Sequence, residues 1–351
     1  MIAPAWNPEI DDTLVCVAVR DETHDVKTFT FAAEPERRFD FVPGQFMTFT
    51  FPVDGADVPR CYTIASPPTR PDRLSITVKH IPGGVVSPWL HRAMVPGVRV
   101  PVAGPLGDFC ADLHPPGKYL FLSGGVGVTP LMSMARAWDD RAEGADVVFV
   151  HSARTPDDIV FRAEQAELSR HRQGFRAVAL CETDAPHEIW PGHRGRLSLP
   201  LLRLLAPDLL ERRVFCCGPA PYMAAVRAML DEAGFPRDRY HEESFDFATL
   251  AQAEPDIAAE AAIPAAFTVE FTKSGRTIEV GPASFVLQAA KDAGLRLPNS
   301  CTKGMCGTCK SKLLSGSVDM QHAGGIRQRE IDAGMILICC SKPLSDLVIE
   351  K

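Results

Sequence analysis

The chain is expected to fold as three unlike parts in a row: an antiparallel β-barrel, a doubly wound parallel α/β sheet and a small C-terminal α+β unit. Three observations lead there. The first third alternates apolar and polar residues in short runs, with Pro43-Gly44 and Pro82-Gly83-Gly84 as turns. After Pro115, apolar runs alternate with helical periods. Between 248 and 266, alanine, glutamate and proline displace any apolar period, as in an interdomain linker. A length of 351 residues suits two or three domains, and 46% hydrophobic residues let each bury a core.

Strands are expected over residues 13–20, 26–32, 46–51 and 73–80, and a short helix over 86–94. Short strands at this spacing favour a small barrel. Further strands are expected at 119–122, 147–150, 175–180 and 214–217, with helices at 129–138, 157–170 and 222–233 between or after them. Strand–helix alternation of this kind builds a parallel sheet. Residues 267–271 and 276–280 form a hairpin around Lys273-Ser274-Gly275, and a helix over 285–292 leads to a cysteine-rich loop. The expected domains are 11–112, 113–247 and 267–351, with the linker at 248–266.

Charge and termini restrict the function. A formal net charge of −7 disfavours nucleic acid as a partner. No apolar run approaches the ~18 residues that span a bilayer, so no membrane partner is expected. The first dozen residues carry acids and prolines rather than the basic start and apolar core of a secretion signal. With 11 cysteines, an odd count, this predicts a reducing compartment and cytoplasmic residence.

The cysteines carry the sharpest chemistry. Cys301, Cys306 and Cys309 are spaced C-x4-C-x2-C, and Cys339 stands apart further on. That is the ligand spacing of a plant-type [2Fe–2S] cluster held by four thiolates. Structural zinc prefers two short knuckles separated by a spacer, which this pattern lacks. Cys340, beside Cys339, is an alternative fourth ligand. Gly304 and Gly307 suit a loop whose backbone must approach the sulfides.

Three further motifs point to nucleotides. Arg60-Cys61-Tyr62-Thr63 places an arginine, an aromatic and a hydroxyl on one extended segment. The guanidinium can pair with phosphate, the ring can stack on a planar heterocycle, and the hydroxyl can bond a ring nitrogen. Gly84-Val85-Val86-Ser87 heads a helix, where free N–H groups favour phosphate. Together they indicate a flavin nucleotide; either alone matches an ordinary edge strand or turn. In the run 122–130, Gly125 and Gly127 close a strand, and Thr129-Pro130 opens a helix. This is not the G-x-G-x-x-G fingerprint, but strand, glycine turn and helix still favour a dinucleotide pyrophosphate. Cys217-Gly218-Pro219, followed by Met223, lies where another strand meets a helix, at the binding edge of such a sheet.

These motifs, in this order, resemble the ferredoxin–NADP⁺ reductase superfamily. The whole of 11–351 is similar to reductase components of Rieske-type oxygenases, in particular those of monooxygenases that demethylate glycine betaine and related quaternary amines. The resemblance implies a flavin barrel, a nicotinamide domain and a β-grasp ferredoxin domain. It implies that Thr63 lies near flavin N5 and that Arg60, Cys61 and Tyr62 bind the flavin. Val78, Lys79 and His80 take its ribityl or adenine strand, and Gly84, Val85, Val86 and Ser87 its phosphate. Gly125, Gly127, Thr129 and Pro130 match the nicotinamide-nucleotide turn; Cys217, Gly218, Pro219 and Met223 match the element near the nicotinamide. Phe245 matches the terminal aromatic that covers the flavin. Thr63, Cys217 and Phe245 are thus the candidate catalytic residues.

Ferredoxins place a proline after their fourth cysteine, as Pro343 follows Cys339, which leaves Cys340 as a small packing residue. FAD is favoured by the glycine-rich turn, with FMN the alternative. NADH is favoured by the oxygenase-reductase likeness. Ser152 and Arg154 fall where the adenosine ribose should lie, and Arg154 can accept a 2′-phosphate of NADPH, sit on the ribose or pair with Asp157 or Asp158. The implied activity takes hydride from NADH onto FAD and passes single electrons through the cluster to a Rieske oxygenase. The alternative acceptor is a hybrid-cluster protein or another electron carrier.

Overall fold

The computed structural model describes residues 3–8, 10–245, 266–295, 297, 302, 304, 307–322 and 325–351. Residues 248–265 of the expected linker, and the expected ligands Cys301 and Cys306, lie outside the described residues.

The N-terminal sheet contains β1 (Thr13–Thr23), β2 (Val26–Ala33), β3 (Phe46–Val53), β4 (Ala56–Thr63), β5 (Leu74–Lys79) and β6 (Arg99–Leu106), with α1 (Ser87–Ala93) before the last strand. Its order is β4-β3-β6-β1-β2-β5 and its pairings are antiparallel. Alternation sends Phe29, Phe31, Phe49 and Phe51 inward, where all are fully buried. The sheet curls until Ala65 N, just past β4, donates to Ser75 O of β5 at 2.7 Å. This is the expected barrel-like fold. Strand β6 escapes periodicity reading because Pro101 and Pro105 interrupt its apolar run. Pro59 is tolerated in β4 because that strand lies at one end of the sheet order.

The second sheet is parallel. It contains β7 (Lys118–Gly124), β8 (Asp146–Ala153), β9 (Phe175–Cys181), β10 (His193–Arg194), β11 (Arg213–Cys217) and β12 (Tyr240–Glu243), in the order β10-β9-β8-β7-β11-β12. Helices α2 (Val128–Asp140), α3 (Arg162–His171), α4 (Leu199–Leu205) and α5 (Ala220–Glu232) connect them. The winding reverses at β7, which has β8 on one side and β11 on the other. That reversal opens a crevice at the strands' C-terminal ends. The helix expected over 157–170 is corrected. Pro156–Asp158 is a 3-10 turn capped by Thr155 and Asp158, and the α-helix begins only at Arg162. Between them Ile159, Val160 and Phe161 turn inward and are buried. Phe161 takes φ +58°, which reverses the chain.

The C-terminal sheet runs β14-β13-β19-β15-β17, built from β13 (Phe267–Phe271), β14 (Arg276–Val280), β15 (Lys310–Ser315), β17 (Met335–Leu337) and β19 (Leu347–Glu350). A small ladder pairs β16 (Val318–Met320) with β18 (Ser341–Pro343). Helix α6 (Val286–Asp292) buries Val286, Leu287 and Ala290 against this sheet, and α7 (Gln328–Asp332) precedes β17. A mixed sheet with one covering helix is the expected ferredoxin-type architecture.

The barrel meets the parallel sheet through deep contacts. Arg136 of α2, 8% exposed, donates to Ala65 O at 2.6 Å while Glu164 holds its other nitrogens. Ser133 Oγ donates to Ser66 O at 2.8 Å. The C-terminal sheet meets the barrel more sparsely. Arg327 Nη2 donates to Asp11 O at 3.2 Å and Val102 O at 3.1 Å. Arg329 pairs with Asp12 at 3.4 Å. Among the described residues, no helix is long and apolar enough to cross a membrane.

Candidate functional site

The crevice at β7 and β11 is where the nucleotide motifs converge. Gly125–Gly127 form a 3-10 turn that leads directly into α2. Gly127 lies against the other motif: a Cβ there would sit 2.3 Å from Cys217 O. Only glycine lets the two strand-to-helix turns touch. Thr129 Oγ1 donates to Val126 O at 3.0 Å and ties the turn to its helix, and Pro130 occupies the first helical turn. Cys217 ends β11, fully buried, and burial pushes its thiol well up. It is therefore a neutral, compact wall. Pro219 caps α5, and Met223 is buried behind it.

A cavity of about 340 Å³ opens beside these turns, lined among others by Lys79, Gly125, Ser152, Arg154, Glu182 and Tyr222. Ser152 Oγ and Tyr222 Oη lie side by side in its wall but make no hydrogen bond of normal geometry. Arg154 is not free. Its Nη2 is held by Asp158 and lies 3.4 Å from Asp25. Asp25 also pairs with Lys79 at 3.1 Å, so the network joins the barrel to the parallel sheet.

The barrel presents Arg60, Cys61, Tyr62 and Thr63 along β4. Tyr62 meets Phe49 and Phe51 edge-on, with ring centroids 6.1 Å apart in each case. Cys61 Sγ lies 3.4 Å from Thr48 Oγ1. Thr63 reaches the parallel sheet: its hydroxyl donates to Glu243 Oε2 at 3.3 Å, across 180 residues of sequence. Glu243 in turn sits beside Cys217 in the β11–β12 register. Burial pushes its carboxyl up to about 8. Sequence alone singles out the aromatic of the segment His241-Glu-Glu-Ser-Phe245 and not Glu243, whose one signal is an acid two residues before that aromatic. Phe245 is half-buried against the core that contains Ala65, Val128 and Cys217.

Val78 and Lys79 end β5, with His80 following. His80 meets His91 edge-on at 5.4 Å, and His91 Nε2 lies 2.9 Å from Val78 O. In the 84–87 turn Val85 is 55% exposed while Val86 and Ser87 are buried. Ser87 Oγ accepts from Ile81 N at 3.0 Å, which leaves its own proton available to a ligand.

In the C-terminal unit Cys309 and Cys339 are both buried, within sulfur–sulfur contact of one another. Gly304 N–H also reaches Cys339. Cys340 donates its thiol to Leu337 O at 3.5 Å and also neighbours the Cys339 side chain. Gly307 takes φ +72°, and a Cβ there would lie 2.7 Å from Gly325 O, so the loop is drawn tightly together.

Comparison with known proteins matches three stretches of the chain. Residues 14–110 match the oxidoreductase FAD-binding domain, 121–228 the oxidoreductase NAD-binding domain, and 269–344 the 2Fe-2S iron-sulfur cluster binding domain. The chain is 47% identical over 344 residues to the glycine betaine monooxygenase reductase subunit of Pseudomonas aeruginosa, covering 95% of this chain and 94% of that protein. The chain belongs to the monooxygenase reductase-subunit family of the ferredoxin–NADP⁺ reductase superfamily. It is also 39% identical to the stachydrine N-demethylase reductase subunit of Rhizobium meliloti, over 97% of this chain and 96% of that one. Phthalate dioxygenase reductase shares the fold, with a TM-score of 0.57 at 24% identity over 99% and 100% of the two chains.

This reductase is thus an oxidoreductase with FAD, NAD and [2Fe–2S] domains. The residues present fit those groups. The cavity lined by Ser152, Arg154 and Tyr222 is of a size for a nucleotide, Gly125 has open space where a side chain would stand, and buried thiols with a glycine cradle suit iron.

Proposed function

We propose that this reductase draws electrons from NADH and delivers them singly to a Rieske-type oxygenase component that demethylates a quaternary amine. The observation that carries the reading is the junction of Thr63, Glu243 and Cys217, where barrel and parallel sheet meet. A flavin held on the barrel would there face a nicotinamide held on the sheet. The substrate class rests on relatives named for glycine betaine and for stachydrine N-demethylation.

Bound FAD supplies hydride acceptance and one-electron release, and the cluster supplies a one-electron relay. The chain's own residues bind, orient and exclude water. Arg60 and the 84–87 turn would hold the flavin phosphate, with Val78, Lys79 and His80 along its chain. Tyr62, Thr63 and Phe245 would flank the ring. The 125–130 and 217–223 turns would hold the nicotinamide nucleotide, with Cys217 as an apolar wall. Glu243 keeps its proton at neutral pH and so places no negative charge beside the Thr63 hydroxyl. Cys301, Cys306, Cys309 and Cys339 would ligate the cluster, with Cys340 packed beside Cys339 and its thiol on Leu337 O. Arg154, held by Asp158 and near Asp25, favours NADH over NADPH. Three domains at 11–112, 113–247 and 267–351, joined through 248–266, suit this division of labour, and cytoplasmic residence suits thiols that form no disulfide among the described residues.

Anaerobic titration with NADH, followed by visible absorbance and low-temperature EPR, tests the path. Flavin bleaching with the rhombic signal of a reduced [2Fe–2S] cluster is expected. Bleaching without that signal would break the path at the cluster. Reconstitution with a Rieske oxygenase and glycine betaine then tests the acceptor, with substrate-dependent NADH consumption as the positive result.

A further inference from the structure

The contact between the C-terminal unit and the barrel is small, and its chemistry is specific. Arg327 Nη2 donates to two backbone carbonyls, Asp11 O and Val102 O. These carbonyls converge because the chain entering β1 pairs with β6, where Val102 N donates to Asp12 O at 2.7 Å. The acceptor side is anchored. The Arg37 guanidinium grips the Asp11 carboxylate at 3.0 Å, and Asp11 N donates to Asn7 O at 2.8 Å.

Both ends of the contact lead to redox sites. On the barrel, Val102 is in register with Phe49, and Phe49 with Arg60. Arg327 therefore grips the sheet two strands from the flavin-binding segment, about 10 Å at the usual strand spacing. On the other side, Arg327 follows Gly325-Ile326. Gly325 N donates to Gly304 O at 2.9 Å, and its carbonyl lies against Gly307. Arg327 N is bound by Glu330 Oε2 at 2.8 Å, and Lys310, the residue after Cys309, pairs with Glu330 at 2.6 Å. The arginine is thus braced to the cysteine loop from two directions.

We propose that Arg327 is the positioning residue that docks the ferredoxin-type unit on the flavin barrel for electron transfer within the chain. The step moves one electron from the NADH-reduced flavin to the oxidised cluster, and no bond is made. The planar guanidinium suits the task because one nitrogen reaches both carbonyls while its charge strengthens each bond. Arg329–Asp12 is an exposed pair at 3.4 Å and adds little. The proposal rests on the function proposed above.

The test uses the full-length protein loaded with FAD and iron, as Arg327→Ala, Arg327→Lys and Arg329→Ala. Rapid mixing with NADH reads flavin bleaching and cluster bleaching separately. Small-angle scattering reads the radius of gyration, and EPR after dithionite reads the cluster itself. In Arg327→Ala, flavin bleaching and the dithionite signal should match the wild type. Flavin-to-cluster transfer should fall at least ten-fold, and the radius of gyration should rise. Arg327→Lys should recover part of both, and Arg329→Ala should change transfer less than two-fold. A full cluster signal with wild-type transfer in Arg327→Ala would overturn the proposal. Loss of the dithionite signal in both Arg327 variants would overturn it as well, since the arginine would then only build the cluster loop. Failure of the wild-type flavin to reduce the cluster would instead refute the electron path.

Discussion

Glu243 is an acid that stays protonated where acids normally ionise. Its carboxyl is raised to about 8 by burial, against an ordinary 4.5. The folded state therefore binds a proton that the unfolded chain releases, so this group lowers stability as pH rises from about 4.5 to about 8. Glu243→Gln removes that dependence while it keeps an acceptor for Thr63. Its melting temperature should gain on the wild type steadily across this window and by a constant amount above it. A difference that stays flat with pH, measured by calorimetry, would show an ordinary surface acid. Arg154 invites a second substitution. Asp158→Asn retains an acceptor for Thr155 but no longer neutralises Arg154. The kcat/KM ratio of NADPH to NADH should then rise about ten-fold, close to 1.4 kcal/mol. An unchanged ratio would place the 2′-position away from Arg154. The contrast in legibility at this scale is physical. The cysteine run is read easily because Cys301, Cys306 and Cys309 stand close together in the sequence. Glu243 stayed hidden because its partner, Thr63, lies in another sheet and only folding brings the two together.

Among the elements, the touching turns of β7 and β11 are the tightest constraint. Gly127→Ala would drive a Cβ into Cys217 O, which neither backbone can yield cheaply. A loss of about 1–3 kcal/mol is expected, with a lower melting temperature and a KM for NADH raised about five-fold or more. Unchanged values of both would mean that the turns separate without cost. The same elements show where periodicity serves and where it fails. The parallel strands read clearly because a sheet covered on both faces needs continuous apolar runs. Strand β6 did not, because Pro101 and Pro105 mimic a loop, although its pairing partners accept them. The start of α3 is hidden in the sequence because 157–161 carries acids and apolar residues that look helical, while Phe161 turns the backbone left-handed.

Across the whole molecule, electron flow should divide cleanly at the cluster. Cys309→Ser removes a buried thiol beside Cys339. Cytochrome c reduction should fall by about two orders of magnitude while NADH still bleaches the flavin at the wild-type rate; equal loss of both would merge the two half-reactions. The order of the three units was legible because each changes the period of the chain. Their mutual grip was not, since Arg136 on Ala65 O and Arg327 on Asp11 O and Val102 O bind to main chain that carries no side-chain signature. Contacts of that kind have an evolutionary corollary. A side chain that recognises a carbonyl is indifferent to the identity of the residue that bears it. Substitutions at Val102 that preserve the backbone leave the junction intact, whereas Arg327→Ala breaks it and Arg327→Lys keeps only part of it. The receiving face of the joint can therefore drift wherever its backbone, and the Arg37–Asp11 pair that anchors it, is kept, and a ferredoxin unit could be exchanged between barrels that share that backbone.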